Sequence, residues 1–336
     1  MVAGDNCRII YMFPGQGSQQ VKMGFDVWQK YTKAKEIFAL ASEIFGEDLT
    51  AICFNKPFRE MQRTDRAQIL ITTVSVIFYE LLKEAGILPN LVLGHSAGEL
   101  AALYASGAIG LEDVLKLSVI RGKSMYEAAL QNKGKMVAIL GLDIDAVHKL
   151  VEESAESAET VVISNYNAPQ EIVISGDADA ISKIEQHILI KQLARAVDLK
   201  QQGAWHTIHM QAAQEKFATE IAKINLKKTE IPIMFNNSVE YAEDAATIRK
   251  NLVNILTSTV QWYPCLCKLI ENPPQTQIFC EVGPNKILRG LLRKSYHEIT
   301  YNAYEVFSVN DLESLTTFIQ KIKKYSSVVL SQGTAC

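Results

Sequence analysis

The 336-residue chain has no CxxC pair, no apolar run close to 20 residues, no internal repeat and no low-complexity tract. Each absence removes a class of function. Without paired or clustered cysteines, neither a zinc site nor a dithiol redox motif is expected, and no metal is assigned. The six cysteines, Cys7, Cys53, Cys265, Cys267, Cys280 and Cys336, are scattered and read as reduced thiols. A membrane-spanning helix needs about 20 consecutive apolar residues, so none is expected. Net charge is also nearly lacking, at -3, and no basic surface is forced on the fold. Nucleic acid is therefore not an expected partner. Met1 to Arg8 carries one acid and one base and lacks the basic start and long apolar stretch of a signal peptide. Cytoplasmic residence is the resulting expectation.

What is present is the alternation of an α/β protein. Arg8 to Phe13 is an apolar run stopped by Pro14-Gly15, the pattern of a buried strand and its loop. Leu91 to Leu93 reads as a second strand, and the Ala- and Leu-rich stretch from Ala97 to Ser106 as a helix closed by Gly107. From Lys135 to Lys200 the rhythm changes. Strands at Met136–Leu142, Thr160–Ser164, Glu171–Ser175 and Ala196–Leu199 alternate with helical spacing at Asp143–Ala155 and Asp177–Leu189. That order, βαββαβ, is a ferredoxin-like unit. Strands at Ile231–Phe235 and Gln277–Val282 then return the chain to its larger part. The expected organisation is a large α/β-hydrolase-like domain built from residues 1–134 and 200–325. A small ferredoxin-like subdomain is inserted over 135–199, and a loosely held tail covers 326–336.

The strongest local signal is Gly94-His95-Ser96-Ala97-Gly98, a G-x-S-x-G nucleophile elbow between a predicted strand and a predicted helix. The glycines permit the sharp turn. Ser96 is then exposed at the helix start, and the Ala97 N–H is placed to donate to an oxyanion. A serine needs a base. Of six histidines, His95 lies inside the elbow, His148 and His187 fall on predicted exposed helix faces, and His297 sits in a polar stretch. His206 and His209, in Trp205-His206-Thr207-Ile208-His209, are the two candidates that spacing leaves open.

Beyond the elbow, the chain carries Phe13-Pro14-Gly15-Gln16-Gly17-Ser18-Gln19, Asn167-Ala168-Pro169 with Val173-Ile174-Ser175-Gly176, Val260-Gln261-Trp262 and Glu281-Val282-Gly283-Pro284. In this order, from about residue 9 to 291, these segments resemble the malonyl-CoA:acyl carrier protein transacylase family, which includes the acyltransferases of fatty acid and polyketide synthesis. The resemblance implies roles. Ser96 is the acylated nucleophile and His206 its base. Gln16 lies beside the serine, and its region joins the Ala97 N–H in the oxyanion hole. Gln68 and Asn167 are polar pocket residues. The backbone carbonyl of Gln261 holds the histidine ring in place of a third-member carboxylate. Arg121, in Ile120-Arg121-Gly122, clamps the free carboxylate of malonyl through the two parallel hydrogen bonds a guanidinium offers.

The implied reaction moves malonyl from malonyl-CoA, through a serine ester, to the phosphopantetheine thiol of an acyl carrier protein, with no cofactor and as a monomer. Many polyketide members have Ala-Phe-His before the base, where this chain has Ala204-Trp205-His206. The larger Trp205 is expected to fill the space of an α-substituent and to favour malonyl. Trp205 and the polar run Glu240 to Lys250 lean toward a polyketide pathway. Lys286, Arg289, Arg293 and Lys294 are candidates for a basic face toward an acidic carrier. Two alternatives stand. One is an acyl hydrolase that clears carrier proteins, a group that tends to lack the arginine. The other is a non-catalytic docking protein of a synthase, which would be expected to have lost part of the Ser96, His206 and Gln16 set.

Overall fold

The computed structural model describes residues 7–154, 161–270, 276–296 and 304–332. The strands among the described residues are β1 (Cys7–Phe13), β2 (Leu91–Gly94), β3 (Gly134–Leu140), β4 (Val161–Ala168), β5 (Glu171–Asp177), β6 (Arg195–Asp198), β7 (Ile233–Phe235), β8 (Glu240–Ala242), β9 (Thr276–Val282) and β10 (Tyr304–Val309). Six form one sheet in the order β10-β9-β1-β2-β7-β8. All its pairings are parallel except β7 with β8, a short antiparallel hairpin at the edge. The central strands are buried on both faces, as parallel strands under helical layers must be, and so they read as largely apolar runs, broken in β9 by the buried Gln277 and Glu281.

The helix Thr64–Glu84 is buried from Thr64 to Leu82, so it lacks the polar stripe of a surface helix. It packs against the helix Leu111–Gln131, and this contact brings Gln68 and Arg121 together.

The second sheet is fully antiparallel, in the order β4-β5-β3-β6, with helices Ile144–Ser154 and Ala178–Lys191. Its βαββαβ order matches the ferredoxin-like reading. Strand alternation explains how it sits on the molecule. Val137, Ile139, Ile172 and Ile174 point into the unit's own core with Val147, Ile181 and Ile184. Met136, Ala138 and Val173, one residue out of phase, point into the large core. The small sheet thus presents one face to its own helices and the other to the large unit. The chain at Val260 stitches the two together: its N–H donates to the Ser164 carbonyl at 2.8 Å, and its carbonyl accepts from Tyr166 N–H at 2.9 Å.

Several expectations change. The second strand of the small unit does not end at Ser164; β4 continues to Ala168 through two register shifts. The polar Asn165-Tyr166-Asn167 run reads as a turn in sequence, yet the bulges keep it in the sheet while aiming both asparagines at the cavity described below. Thr160 and Ala155 lie outside the described residues. The polar run Glu240 to Lys250 is the hairpin strand β8 followed by the helix Ala245–Asn254. Asp244 caps that helix by accepting from Ala246 and Thr247 N–H. The run is polar because it is an edge and a cap. The tail drawn over 326–336 starts inside a helix, Leu312–Gln332, so residues 326–332 continue regular structure.

Candidate active site

The site forms at the C-terminal ends of the paired strands β1 and β2, where open α/β sheets gather their ligands. Beyond β2 the chain turns so tightly that Ser96 adopts φ 51, in the left-handed region. Such a conformation costs about 1–3 kcal/mol for a non-glycine residue, so the surroundings must hold it. They do so by backbone contact. A Cβ on Gly98 would lie 2.1 Å from the Phe13 carbonyl oxygen, and one on Gly15 would lie 2.3 Å from that of His95. His95 N–H also donates to the Phe13 carbonyl at 2.9 Å. Ala97 is the N-cap of the helix Gly98–Ala105, so its N–H belongs to the unpaired first turn.

Of the histidines, the structure brings His206 to the serine, with Nε2 2.9 Å from Ser96 Oγ. His206 Nδ1 lies 2.7 Å from the main-chain carbonyl of Ile255. A carbonyl only accepts, so Nδ1 carries the proton and Nε2 keeps its lone pair for the serine hydroxyl. The remaining histidines serve elsewhere. His209 Nε2 lies 3.0 Å from Asp177 Oδ1, and His95 Nε2 lies 2.9 Å from Asn167 Oδ1. His148 is exposed, His187 is half-buried, and His297 lies outside the described residues.

The carbonyl on the histidine ring is the main correction. It is that of Ile255, not Gln261. The Gln261 carbonyl accepts from Cys265 N–H at 3.1 Å at the start of the helix Trp262–Ile270, while its side chain donates to the Asn237 carbonyl at 3.2 Å. It is already engaged by its own helix.

Arg121 is 2% exposed. Its Nη1 donates to Gln68 Oε1 at 2.7 Å and its Nη2 to Ser96 Oγ at 3.3 Å. Among the described residues no carboxylate reaches ion-pair distance of it. Gln68 is likewise buried and holds the arginine; neither side chain bounds the cavity, and Arg121 meets it at Ser96 Oγ. The cavity above Ser96 has a volume of about 330 Å³ and is bounded by Gln16, His95, Asn167, Trp205 and His206 from the predicted set. Met136, Asn165, Glu171, Val173 and Leu199 bound it on the small-sheet side, and the buried Leu288 and Leu291 on the side of the helix Ile287–Tyr296. Trp205 is 4% exposed, and its Nε1 donates to Gln201 Oε1 at 3.3 Å. Gln16 Nε2 donates to the same oxygen at 2.8 Å and to Thr64 Oγ1 at 3.1 Å.

Burial sets the electrostatics. It pushes His206 down to about 3, aided by the Arg121 charge and opposed by the Ile255 carbonyl. It lowers Arg121 to about 10, with Glu99 opposing. It raises Glu99 to about 8, against hydrogen bonding from Asn236 N–H and the charge of Arg121. The result is a neutral base, a cationic guanidinium and a carboxyl poised near neutrality within one dry region.

The sequence reading did not single out Gln201, Asn236, Glu99 or Ile255 as site residues. Among the described residues no group of three His, Cys, Asp or Glu side chains could hold a metal. Lys286, Arg293 and Lys294 are exposed and Arg289 is half-buried around the helix Ile287–Tyr296, which also carries the cavity residues Leu288 and Leu291. Lys294 is paired with Glu171.

The acyl transferase domain family matches residues 10–331 of the chain. A Bacillus subtilis (strain 168) protein named malonyl CoA-acyl carrier protein transacylase is 32% identical over 317 residues, 94% of this chain and 98% of its own length. A Salmonella typhimurium protein of the same name is 35% identical over 297 residues, 88% of this chain and 95% of its own. Among solved structures, a type II PKS acyl-carrier protein in complex with its malonyl-transacylase superposes with TM-score 0.87 at 29% identity, covering 94% of this chain and 99% of that one. The Clostridium perfringens malonyl CoA-acyl carrier protein transacylase gives TM-score 0.86 at 32% identity, covering 97% and 99%.

Proposed function

Given that the chain belongs to the acyl transferase domain family, we propose that it transfers malonyl from malonyl-CoA to the phosphopantetheine thiol of an acyl carrier protein through a malonyl-Ser96 ester. One observation carries this reading: the buried Arg121 guanidinium stands 3.3 Å from Ser96 Oγ. In malonyl a single methylene separates the carboxylate from the thioester carbonyl. A cation that holds the carboxylate must therefore lie beside the nucleophile. The amide of Gln68 supports Arg121 without neutralising it, which leaves the charge for the substrate.

The steps follow from the geometry. His206 Nε2 takes the proton of Ser96 Oγ as that oxygen attacks the thioester carbonyl carbon. The Ile255 carbonyl holds the resulting imidazolium through Nδ1–H. The Ala97 N–H and the Gln16 loop receive the oxyanion. The carbon–sulfur bond breaks, His206 returns its proton to the coenzyme A thiolate, and the malonyl ester remains on Ser96. In the second half His206 takes the proton of the carrier's thiol. Sulfur attacks the ester, and Ser96 Oγ leaves and recovers the proton. Neither a metal nor a redox cofactor is needed for either half.

A hydrolase that clears carrier proteins has no use for a carboxylate clamp at this distance, and a docking protein has no use for a serine–histidine pair 2.9 Å apart. Trp205, on the cavity wall, fits malonyl better than an α-branched acyl group. Lys286, Arg289 and Arg293, on and beside the helix Ile287–Tyr296, suit an acidic carrier. No described helix is long and apolar enough to cross a membrane, and action in the cytoplasm as a monomer is the reading adopted.

The test is intact-protein mass spectrometry after brief exposure to malonyl-CoA, then to carrier protein. A malonyl adduct that is absent in Ser96→Ala and passes to the carrier is the expected result. Hydrolysis of acyl carrier without an adduct would replace this reading with the hydrolase.

A further inference from the structure

The elbow is gripped from a strand that carries no reacting group. Asn236 directly follows β7 and is fully buried. Its Oδ1 accepts the Ser96 N–H at 3.1 Å. Its own N–H donates to Glu99 Oε1 at 2.8 Å. Its carbonyl accepts the Gln261 N–H at 3.0 Å, which ties it to the start of the helix Trp262–Ile270. One residue thus holds both ends of the four-residue turn from Ser96 to Glu99. The amide orientation is fixed by the network, since the Ser96 N–H requires an oxygen. The Nδ2 makes no hydrogen bond to oxygen or nitrogen and lies beside the Cys265 thiol.

Two consequences follow for the chemistry. Ser96 sits at a left-handed φ of 51, so a relaxed turn would carry Oγ away from His206 Nε2. The bond from Asn236 acts on the main chain of that residue and opposes the relaxation. It also occupies the Ser96 N–H, which leaves the Ala97 N–H as the elbow's free donor toward a developing oxyanion.

We propose that Asn236 is a positioning residue for the reaction: by accepting the Ser96 N–H while anchored to Glu99, it holds the serine hydroxyl in line with His206. The inference rests on Ser96 being the nucleophile of the transferase reading, but its test does not require malonyl-CoA to be the donor. It also differs from simple stabilisation, because it places the effect in the rate of attack and not in binding of the acyl donor.

The experiment measures two rates in wild type, Asn236→Ala and Asn236→Asp. The first is labelling of Ser96 by a fluorophosphonate, followed by intact mass, which reports the nucleophile alone. The second is malonyl-enzyme formation from malonyl-CoA, resolved into kcat and KM. Loss of one hydrogen bond to a buried donor should slow Asn236→Ala about 10- to 100-fold in both rates, with KM within about twofold of wild type. Asn236→Asp keeps Oδ1 and should recover to within about threefold. If Asn236→Ala is too unstable to purify, Asn236→Leu fills the same space without an acceptor and should show the same fall. Wild-type labelling by the variant that lacks the acceptor would overturn the proposal. So would an equal fall in Asn236→Asp, or a change confined to KM. A wild type that reacts with the fluorophosphonate but not with malonyl-CoA would reject the malonyl reading, while the labelling rates would still decide the role of Asn236.

Discussion

His206 Nδ1 lies 2.7 Å from the Ile255 carbonyl, in the position where a serine triad has a carboxylate. A carbonyl fixes the tautomer as a carboxylate would, but contributes no full negative charge. Burial and the neighbouring Arg121 therefore push the imidazole down to about 3 without an anion to oppose them. The base stays neutral across the working range. The rate of Ser96 acylation should accordingly show no acid limb near the ordinary histidine value of about 6.5 and should stay flat down to about pH 5. Rapid-quench malonylation between pH 4 and 8 checks this, and an inflection near 6.5 would contradict it.

The same depressed value has a stability consequence. Between about pH 6.5 and the folded value of about 3, the unfolded chain binds a proton at this site that the folded chain does not. The contribution of His206 to stability is present above 6.5 and lost as pH falls through that window. His206→Gln should lose less Tm than wild type between pH 7 and 5.

Glu99 behaves in the opposite sense. Its folded value is raised to about 8, chiefly by burial. Its contribution is fully present below the unfolded value of about 4.5 and is lost as pH rises through about 8. Glu99→Gln keeps an acceptor for the Asn236 N–H and cannot ionise. Its Tm should therefore gain on wild type as pH is raised from 5 to 9. Parallel melting curves across that range would refute the assignment.

Arg121→Ala should lower kcat/KM for malonyl-CoA by about 100-fold or more, because the substrate carboxylate would be buried without a partner. Arg121→Lys should recover little of this, since an ammonium cannot satisfy Gln68 and a carboxylate in one plane. Steady-state kinetics with malonyl-CoA and acetyl-CoA separate the effects, and equal losses on both donors would count against a carboxylate clamp.

Gln261→Ala tests whether the Gln261 side chain takes part in the chemistry. The side chain donates one half-buried hydrogen bond to the Asn237 carbonyl. Its loss should cost about 1 kcal/mol of stability and change kcat by less than about threefold. A loss of 100-fold would give that side chain a direct part in the reaction.

These outcomes also mark where sequence is informative. The elbow was legible because strand, glycines, serine and helix are consecutive, and a sharp turn demands those residue types locally. The βαββαβ unit was legible because alternation and helical spacing follow one another over short distances. The Ile255 carbonyl was not, since every residue has a carbonyl and none marks its use. Asn236 was hidden for a related reason: an asparagine after a short strand reads as a turn residue, and only the pairing of β2 with β7 brings it under Ser96. The helix Thr64–Glu84 is buried around its whole circumference, polar residues included, so it showed no exposed stripe from which the direction of Gln68 toward Arg121 could be read.

The backbone crossing of Gly15 and His95, and of Gly98 and Phe13, leaves no room even for a methyl group. One wall of the cavity is thus immovable, since any side chain there would push apart the two central strands. The opposite wall is made of side chains on β3, β4 and β5, borne by a unit with a hydrophobic core of its own. Variation in what such a protein accepts therefore has somewhere to accumulate. Exchanging residues at Met136, Asn165 or Val173 reshapes the chamber from the far side while the nucleophile and its base stay in register. The molecule divides its chamber between a fixed anvil and a replaceable mould.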